Sequence, residues 1–399
     1  MNAPTPPPAV NLPLAVFAML GTQTVTVLMF MTIPVMATEI APEFGVAATD
    51  IALFVSIVFV SAMFFSAASG SFIHRFGGIR ANQLGMTLSA CCLLLALAGS
   101  LPLLYLAAAL VGLGYGPNTP SGSHVLARVT PPRARSLVFS LKQSGAPLGG
   151  LLAGLLVPAM VHAIGWRGAV VTSVVLALLA VIAIQPLRDA LDDDRDRHAA
   201  LTLASPWQAV SAVLRDLRLR RLLLVAFCLT ATQATVMTFV VIYLVEVIGL
   251  EFRLAGALFA ASQATGAVLR VAMGWAADRL GARAILAGLG IGSALGLVVL
   301  SGLDGESAFT TVVLVVVLGC ALGFGWNGVF LAEVASDPGP AGIGAATGGS
   351  LFFLYGGLVA GPAAVSALAT VSGGYTVPLC SVAALTAAAS LNLLRPAPR

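Results

Sequence analysis

A single charge interrupts a long apolar run in the stretch Gly266-Ala-Val-Leu-Arg270-Val-Ala-Met-Gly274-Trp-Ala-Ala-Asp278-Arg279-Leu-Gly281-Ala-Arg283. Arg270 stands eight residues before Asp278, which corresponds to about 12 Å along a helix. The hydrocarbon core of a bilayer is about 30 Å thick, so a water boundary at Asp278 places Arg270 near the midplane. A charge at that depth costs about 2.5–3.5 kcal/mol on insertion scales and marks a functional position by default.

The composition of the 399 residues is that of a chain embedded in lipid. Hydrophobic residues make up 59% and charged residues 9%, whereas soluble domains carry about 25% charged residues. Twelve apolar segments of twenty or more residues follow one another, each long enough to span a bilayer as a helix. The expected fold is therefore an all-α membrane protein with twelve transmembrane helices.

The sequence contains no pattern typical of an enzyme. The five cysteines all lie inside apolar segments without metal-ligand spacing, and neither a phosphate-binding glycine loop nor a nucleophile elbow occurs. We expect no catalytic residue, no cofactor, no metal site and no nucleic-acid partner.

The basic residues predict the orientation of the segments. Sixteen of the 20 fall in loops on the side that also holds both termini, two fall on the opposite side, and two lie within segments. Because cytoplasmic loops carry an excess of lysine and arginine, both termini are expected in the cytoplasm. The high use of alanine and arginine favours a bacterial inner membrane.

The longest loop, residues 188–221, separates residues 1–187 from residues 222–399, and each part holds six segments. The beginning of this linker mixes aspartate with arginine. An apolar stripe at helical spacing follows: Trp207, Val210, Leu214 and Leu217. This pattern predicts an amphipathic helix on the inner membrane surface that tethers the two halves.

The two halves repeat each other in sequence. Four pairs of patterns match in order at offsets between 204 and 210 residues: Thr22-Gln23 with Thr232-Gln233, Gly70-xxx-His74-Arg75-x-Gly77 with Gly274-xxx-Asp278-Arg279-x-Gly281, Leu113-Gly-Tyr-Gly-Pro-Asn118 with Leu322-Gly-Phe-Gly-Trp-Asn327, and Gly149-Gly-Leu-Leu-Ala-Gly154 with Gly356-Gly-Leu-Val-Ala-Gly361. Two parallel six-helix repeats are a transporter architecture, with the binding site between the repeats near the midplane.

With this repeat, the chain resembles the major facilitator superfamily over essentially its whole length. The loop after the eighth segment is similar to that family's Gly-x-x-x-Asp-Arg-x-Gly-x-Arg pattern at Gly274, Asp278, Arg279, Gly281 and Arg283. The loop after the second segment keeps Gly70, Arg75 and Gly77, with His74 in place of the acid. The resemblance implies that the acid and arginines latch helix ends when the cytoplasmic side is closed, and that the first-half latch is weakened or pH-sensitive through His74.

The position of Arg270 is similar to that of an arginine in monocarboxylate and oxalate porters of the superfamily, where it holds the substrate carboxylate. A guanidinium suits this role because its planar fork forms two parallel hydrogen bonds and stays charged when buried. Those relatives often carry an acid one turn earlier, where this chain has Gly266. Gln263, two turns earlier, is expected to flank the pocket. The alternative is that a neighbouring acid neutralises Arg270 and that the residue only holds the fold.

Lys142, the only lysine in the chain, lies seven residues into the fifth segment from Arg135. Its repeat-mate is Gly349, just as that of Arg270 is Ser66, so neither cation belongs to the duplicated scaffold. Two such charges facing a cavity would attract an anion and clamp it. The alternative is that Lys142 snorkels to the cytoplasmic surface.

Further polar residues lie deep in apolar segments as repeat-related pairs. Gln23 and Gln233 form one pair, and Asn118 and Asn327 form another. They are expected to contact substrate, water or a neighbouring helix. Tyr355 is expected to shape the pocket or to pack. The repeat-mates His124 and Glu333 are candidates for an inner gate pair that carries a proton.

These observations predict a secondary transporter that moves a small organic anion by alternating access, coupled to a proton or by exchange. The expected surroundings are the lipid bilayer and the expected state is a monomer. Two alternatives stay open. One is export of drug-like amphipathic compounds, and the other is a non-transporting membrane sensor or scaffold that would bind its partner through residues 188–221.

Overall fold

The structure, a computed structural model, describes residues 11–199, 201, 206–337 and 342–395. The regular secondary structure of these residues is helical, and none of them lies in a β-strand. Eleven helical stretches in this part of the chain are long and apolar enough to cross a membrane. The expected all-α membrane class is therefore confirmed.

The helices follow the apolar segments of the sequence. The helices before residue 200 are α1 (Leu12–Val35), α2 (Ala37–Phe44), α3 (Ala48–Phe76), α4 (Gly78–Leu93), α5 (Leu101–Tyr115), α6 (Asn118–Val129), α7 (Arg135–Gln143), α8 (Gly145–Ala183) and α9 (Arg188–Leu191). Those that follow are α10 (Pro206–Arg215), α11 (Leu217–Glu246), α12 (Phe252–Leu280), α13 (Ala282–Ser301), α14 (Phe309–Leu314), α15 (Asn327–Ser336), α16 (Gly342–Ser372) and α17 (Thr376–Leu394).

One candidate span, Pro132–Leu191, is 60 residues long and contains two of the apolar segments predicted as separate helices. Within it, α8 has 39 residues, which would make a straight helix of about 58 Å, nearly twice the thickness of the hydrocarbon core. Gly165 breaks it, with φ 74° and ψ 167°, a conformation that glycine adopts at little cost because it has no Cβ. The structure thus has eleven candidate spans where the sequence predicts twelve, and the difference lies at this stretch.

Contacts divide the chain into two compact units. The first unit comprises Met1–Pro132, Leu141–Ala212 and Ala335–Phe352, and the second comprises Arg133–Ser140, Val213–Val334 and Phe353–Arg399. Two short segments therefore depart from the division expected at the linker. The first turns of α7 belong to the second unit, and the beginning of α16 belongs to the first.

Glycines let helices of the first unit approach each other closely. Where α4 crosses α5, a Cβ on Gly85 would collide with the carbonyl oxygen of Gly114, and a Cβ on Gly114 would collide with that of Gly85. Lipid tails are as apolar as the helices, so helix association in a bilayer depends on such close packing of small residues. This crossing has no room for a side chain on either helix.

We therefore expect Gly85→Val to destabilise the protein by about 3 kcal/mol or more, because overpacking against a backbone carbonyl cannot be relieved by a rotamer change. Gly154→Ala in α8 is the control, since a Cβ there meets nothing within 4 Å, and alanine favours a helix by up to about 1 kcal/mol. Thermal unfolding of the purified protein in detergent measures both. Equal stability of the two variants would contradict the packing argument.

A helix, α10, forms within the predicted linker, but Leu217 of the predicted apolar stripe begins α11 instead, because Asp216 caps that helix. Residues 200 and 202–205 of the linker lie outside the described part of the chain. Val210 is 6% exposed and Trp207 is 60% exposed. The Trp207 ring nevertheless packs edge-on against Phe64 and Phe352, at centroid distances of 6.5 and 5.7 Å. Aromatic contacts therefore attach the linker helix to α3 and to the beginning of α16.

Candidate functional site

A candidate span of the first unit, Leu101–Val129, is interrupted in its middle. α5 ends at Tyr115 and α6 begins at Asn118, and Pro117 between them has no backbone N–H to continue the helical hydrogen bonds. Asn118 thus occupies the first position of a half-helix. The N-terminus of such a half-helix carries a partial positive charge that favours anions.

Asn118 belongs to a buried hydrogen-bonded chain that crosses three helices. Its Nδ2 donates to Oδ1 of Asn82 at 3.1 Å, and Nδ2 of Asn82 donates to Oγ1 of Thr22 at 3.1 Å. Gln23, the next residue, is 2% exposed, and its Oε1 has no hydrogen-bond partner among the described residues. Sequence reasoning missed Asn82, although a lone asparagine in the apolar α4 was a signal that could have revealed it.

Lys142 is buried against α6 in the same unit. Only 3% of the residue is exposed, and a Cβ on Gly122, one turn after Asn118, would lie 2.8 Å from the lysine Cε. Within the described residues the Lys142 Nζ has one hydrogen-bond partner, the neutral Gln143 Oε1 at 3.0 Å, and no carboxylate at ion-pair distance. A lysine that snorkels keeps its ammonium group in water, whereas Lys142 is buried.

A span of the second unit, Phe309–Ser336, is interrupted more extensively. After α14 come a π-helical turn over Val315–Gly319 and a 3₁₀ turn over Ala321–Phe324, and α15 begins at Asn327. Gln233 of α11 holds the far end of this interruption. Its Oε1 accepts hydrogen bonds from Trp326 Nε1 at 3.2 Å and from Asn327 Nδ2 at 3.1 Å. Two of the predicted polar residues of this half are thus in direct contact.

Arg270 of α12 contacts the same interruption at Phe324, the last residue of the 3₁₀ turn. The residue is 6% exposed, and its Nε and Nη2 both donate to the carbonyl oxygen of Phe324 at 3.0 Å. Gly266, one turn earlier, makes this approach possible, because a Cβ there would lie 2.7 Å from the Cβ of Phe324. Phe324 therefore fills the space that a side chain at position 266 would need.

The remaining predicted pocket residues of the second unit are half-buried Gln263 and buried Tyr355. Gln263 Oε1 is buried and has no hydrogen-bond partner among the described residues, and Tyr355 is 8% exposed. A separate shallow hollow in this unit is lined by apolar and aromatic side chains and by Thr235. None of the predicted site residues lines that hollow.

The second copy of the loop motif contacts the beginning of α7. The two carboxylate oxygens of Asp278 accept hydrogen bonds from the backbone N–H groups of Ser136 at 2.8 Å and Leu137 at 2.9 Å. Gly274 lets the same helix approach, since its Cβ would lie 2.7 Å from that of Ser140. An anionic side chain at a helix N-terminus satisfies free donors and complements the helix dipole.

Other residues of this motif have separate partners. The guanidinium carbon of Arg279 lies 3.7 Å from the centroid of the Trp275 ring. Gly281 has φ 94°, which explains why glycine occupies the turn. Arg283 Nε donates to Glu333 Oε1 at 3.1 Å.

We expect Asp278→Ala to release the N-terminus of α7, because it removes both acceptors and the negative charge. Loss of a helix cap costs about 1–2 kcal/mol, so amide hydrogen exchange of Ser136 and Leu137 should rise by about 5- to 30-fold. Asp278→Asn keeps an acceptor oxygen and should show a smaller increase. Unchanged exchange in Asp278→Ala would exclude the capping role.

The first copy of the motif makes different contacts. The carbonyl oxygen of His74 accepts the N–H of Asp196 at 3.0 Å, and Arg75 Nη1 donates to the Ala199 carbonyl at 3.0 Å. Gly70 lies against the beginning of α16, where its Cβ would be 2.8 Å from that of Ala345. The linker therefore packs on this loop through its backbone.

A linker carboxylate caps the helix that follows this first loop. Asp192 is fully buried, and its two oxygens accept the N–H groups of Ile79 at 2.8 Å and Arg80 at 3.0 Å at the start of α4. Burial raises the pKa of Asp192, although these two hydrogen bonds act in the opposite direction. Gly77, with φ 87°, is adjacent to this carboxylate and has no space for a Cβ. The sequence places this aspartate in a linker that mixes aspartate with arginine, and this pattern did not predict the cap.

The two candidate proton carriers each have charged partners in their own unit. His124 Nε2 lies 2.8 Å from Asp194 Oδ2, which also pairs with Arg128 through its other oxygen at 2.7 Å. Glu333 Oε1 pairs with Arg218 Nη2 at 2.9 Å and with Arg283 Nε at 3.1 Å. A role in gating would require these ion pairs to open.

Comparison with known proteins identifies relatives in sequence. The family model described as Major Facilitator Superfamily matches residues 18–362. An uncharacterized MFS-type transporter of Mycobacterium tuberculosis is 27% identical over 238 residues, covering 59% of this chain and 52% of that protein. The uncharacterized transporter YybO of Bacillus subtilis is 33% identical over 141 residues, covering 35% and 32% respectively. The matched part thus spans about half or less of the length of these relatives.

Solved structures are similar over nearly the whole chain. The human organic anion transporter MFSD10 (TETRAN) has a TM-score of 0.77 at 16% identity, covering 95% of this chain and 98% of that one. The E. coli fucose:proton symporter FucP has a TM-score of 0.74 at 15% identity, with 94% and 97% covered. A bacterial homologue of the iron transporter ferroportin has a TM-score of 0.73 at 15% identity, with 96% and 98% covered. At these identities the similarity concerns the fold alone.

Proposed function

Because this chain belongs to the Major Facilitator Superfamily, we propose that it is a secondary active transporter that moves a small organic anion, a mono- or dicarboxylate, by alternating access. The chain is a multi-pass membrane protein of a transporter family, and its relatives include bacterial membrane proteins. The substrate class, the topology and the residues that bind substrate are the parts that we propose.

The proposed topology has twelve spans in two six-helix bundles, 1–187 and 222–399, with both termini in the cytoplasm. Two observations support it. The break at Gly165 divides a helix that is otherwise nearly twice as long as a bilayer requires. With twelve spans, the loops on the side of the termini hold sixteen of the 20 basic residues, as expected of cytoplasmic loops.

The observation that carries the anion proposal is the burial of Lys142 beside one neutral amide. Among the described residues, no carboxylate lies at ion-pair distance from the Lys142 Nζ. A buried ammonium without a counter-charge is costly in an apolar protein region and usually marks a functional position. An anionic substrate supplies the missing counter-charge. The adjacent half-helix α6, which begins at Asn118, adds a partial positive charge in the same unit.

Arg270 supports the same proposal from the second unit. It is a deeply buried guanidinium beside an interrupted span, and interrupted spans form the substrate sites of many transporters. Its position is similar to that of the arginine in monocarboxylate and oxalate porters. Gly266 replaces the acid that often serves there, so we propose exchange, or proton coupling by another route, and a monomer as the working unit.

The experiment is counterflow in proteoliposomes that contain the purified protein. Vesicles are loaded with unlabelled lactate, oxalate or succinate, and uptake of the same labelled compound is followed with and without a pH gradient. Xylose as a neutral compound and ethidium as an amphipathic cation are tested in parallel. We expect rapid counterflow of at least one carboxylate and none of xylose or ethidium.

The other outcomes distinguish the alternatives. Transport of ethidium without transport of carboxylates would support the drug-export alternative and contradict the anion proposal. If a correctly folded protein transports none of the compounds, the result contradicts the anion proposal and supports the sensor alternative. Net uptake into vesicles without internal carboxylate, driven by an imposed pH gradient, would assign proton coupling, and uptake only into loaded vesicles would assign exchange.

A further inference from the structure

The interruption in the span Phe309–Ser336 leaves backbone groups without helical partners. The π and 3₁₀ turns are closed by local bonds such as Cys320 N–H to Val315 O and Gly323 N–H to Cys320 O. The Phe324 carbonyl, at the end of these turns, accepts two hydrogen bonds from Arg270 instead. Unsatisfied backbone groups in a bilayer cost several kcal/mol, so Arg270 stabilises this conformation of the span.

The two guanidinium donors that make these bonds, Nε and Nη2, can also bind a carboxylate. Nε and Nη2 of an arginine point in parallel and can donate to the two oxygens of one carboxylate. Here both donate to a single carbonyl oxygen, at 3.0 Å each. A carboxylate offers one oxygen to each N–H and places a full negative charge opposite the guanidinium, and such bidentate pairs are among the strong hydrogen-bonded contacts in proteins. A carboxylate that reached Arg270 would therefore compete with Phe324 for these donors.

The segment between the π turn and α15 is held at both ends. At the near end, α13 packs on the π turn, because a Cβ on Gly296 would lie 2.9 Å from the backbone of Gly319. At the far end, Gln233 holds Trp326 and Asn327. Between these anchors, a Cβ on Gly323 or Gly325 would meet its neighbours at 3.6–3.8 Å, an ordinary van der Waals distance, so these two glycines are not locked by a close backbone approach.

We propose that Arg270 is a switch, in which the substrate carboxylate takes the Nε and Nη2 donors from the Phe324 carbonyl and releases residues 320–325 to rearrange. This inference rests on the proposed transport of carboxylates. It adds a positioning role for Arg270 to its role as a substrate ligand, since the same guanidinium holds the interrupted span while no substrate is bound. A ligand shifts a conformational equilibrium only through its different affinity for the two states, and the exchange of acceptors supplies that difference.

The test is amide hydrogen exchange of the purified transporter, followed by mass spectrometry for peptides that cover residues 320–326. The probe is whichever of lactate, oxalate and succinate the wild type exchanges in proteoliposomes. We expect this carboxylate to raise exchange in the segment by about tenfold. Arg270→Gln should show a similar increase without carboxylate and no further response. Arg270→Lys, which keeps the charge but not the planar fork, should lie between the two.

Two controls separate the switch from a general loss of structure. Gly256→Ala lies on the same helix where a Cβ meets nothing within 4 Å, and it should match the wild type in transport and exchange. Exchange in α13 should stay unchanged in every variant and reports a preserved fold. If Arg270→Gln changes exchange in α13, its fold is not preserved. Exchange at residues 320–326 in Arg270→Lys and in the wild type with carboxylate then tests the switch.

The outcomes distinguish the inference from the proposed function. If a transported carboxylate leaves exchange at 320–326 unchanged in the wild type, the switch is overturned and the transport proposal stands. Exchange in Arg270→Gln that equals the wild-type value also overturns the switch. If no carboxylate is transported, the proposed function fails, and the switch fails with it.

Discussion

Lys142→Met is expected to reduce carboxylate transport at least about 30-fold and, at the same time, to make the protein more stable. The transport loss corresponds to about 2 kcal/mol, the lower end of the effect of removing one partner of a buried charged pair. The gain in stability is also expected at about 2 kcal/mol, because the variant no longer buries an ammonium whose partner is a neutral amide. Methionine has a similar shape and fits beside Gly122.

Counterflow of the transported carboxylate and thermal unfolding in detergent measure the two effects. Arg133→Gln is the matched control, because it removes a positive charge from an exposed position shortly before α7 and should change neither quantity. A purely structural role for Lys142 predicts that stability and transport fall together. Wild-type transport in Lys142→Met would show that the ammonium is not a substrate ligand.

Gly266→Asp is expected to lower transport by more than about tenfold, although it places an acid one turn before Arg270. Its Cβ would lie 2.7 Å from the Cβ of Phe324, an atom fixed to the backbone. The new carboxylate would also stand four residues before Arg270, where it can pair with the guanidinium along the helix and withdraw it from the Phe324 carbonyl. Overpacking of this kind costs about 1–3 kcal/mol.

We expect Gly266→Asp to lower counterflow by more than about tenfold and to abolish any effect of carboxylate on exchange at residues 320–326. Gly256→Ala on the same helix is again the control. Gly266→Ala separates overpacking from charge pairing, because it introduces the Cβ without the carboxylate. The loss of counterflow in this variant therefore measures the effect of overpacking against Phe324 alone. Normal transport in Gly266→Asp would mean that Phe324 can move away without consequence for the site.

The two copies of the loop motif use helix capping in different ways. In the second unit, the motif's own Asp278 caps α7. In the first unit, the carboxylate that caps a helix is Asp192 of the linker, and the helix is α4. The linker residues after it add ion pairs with Arg128 and His124. The first part of the linker is thus held to the first unit by specific contacts, beyond the plain tether that its composition suggests.

Sequence reasoning was most successful where the physical signal is local. The apolar segments determined the all-α membrane class, because a bilayer forces each spanning backbone to satisfy its own hydrogen bonds. The number of spans departs from the prediction at Gly165. The chain bends there without leaving the helical stretch Pro132–Leu191, so two predicted spans appear as one. The polar residues Gln233 and Asn327 were recognised as a set from the repeat, and the structure brings them into contact.

The sequence by itself determined that this protein is a duplicated all-α membrane protein with two unshared cations, Lys142 and Arg270, inside its apolar segments. Only the tertiary structure decided what its buried charged residues contact. Arg270 meets a carbonyl 54 residues away, and Asp192 meets a helix N-terminus 113 residues away. Such partners depend on how helices cross and where a helix is interrupted, and hydropathy along the chain carries no information about either.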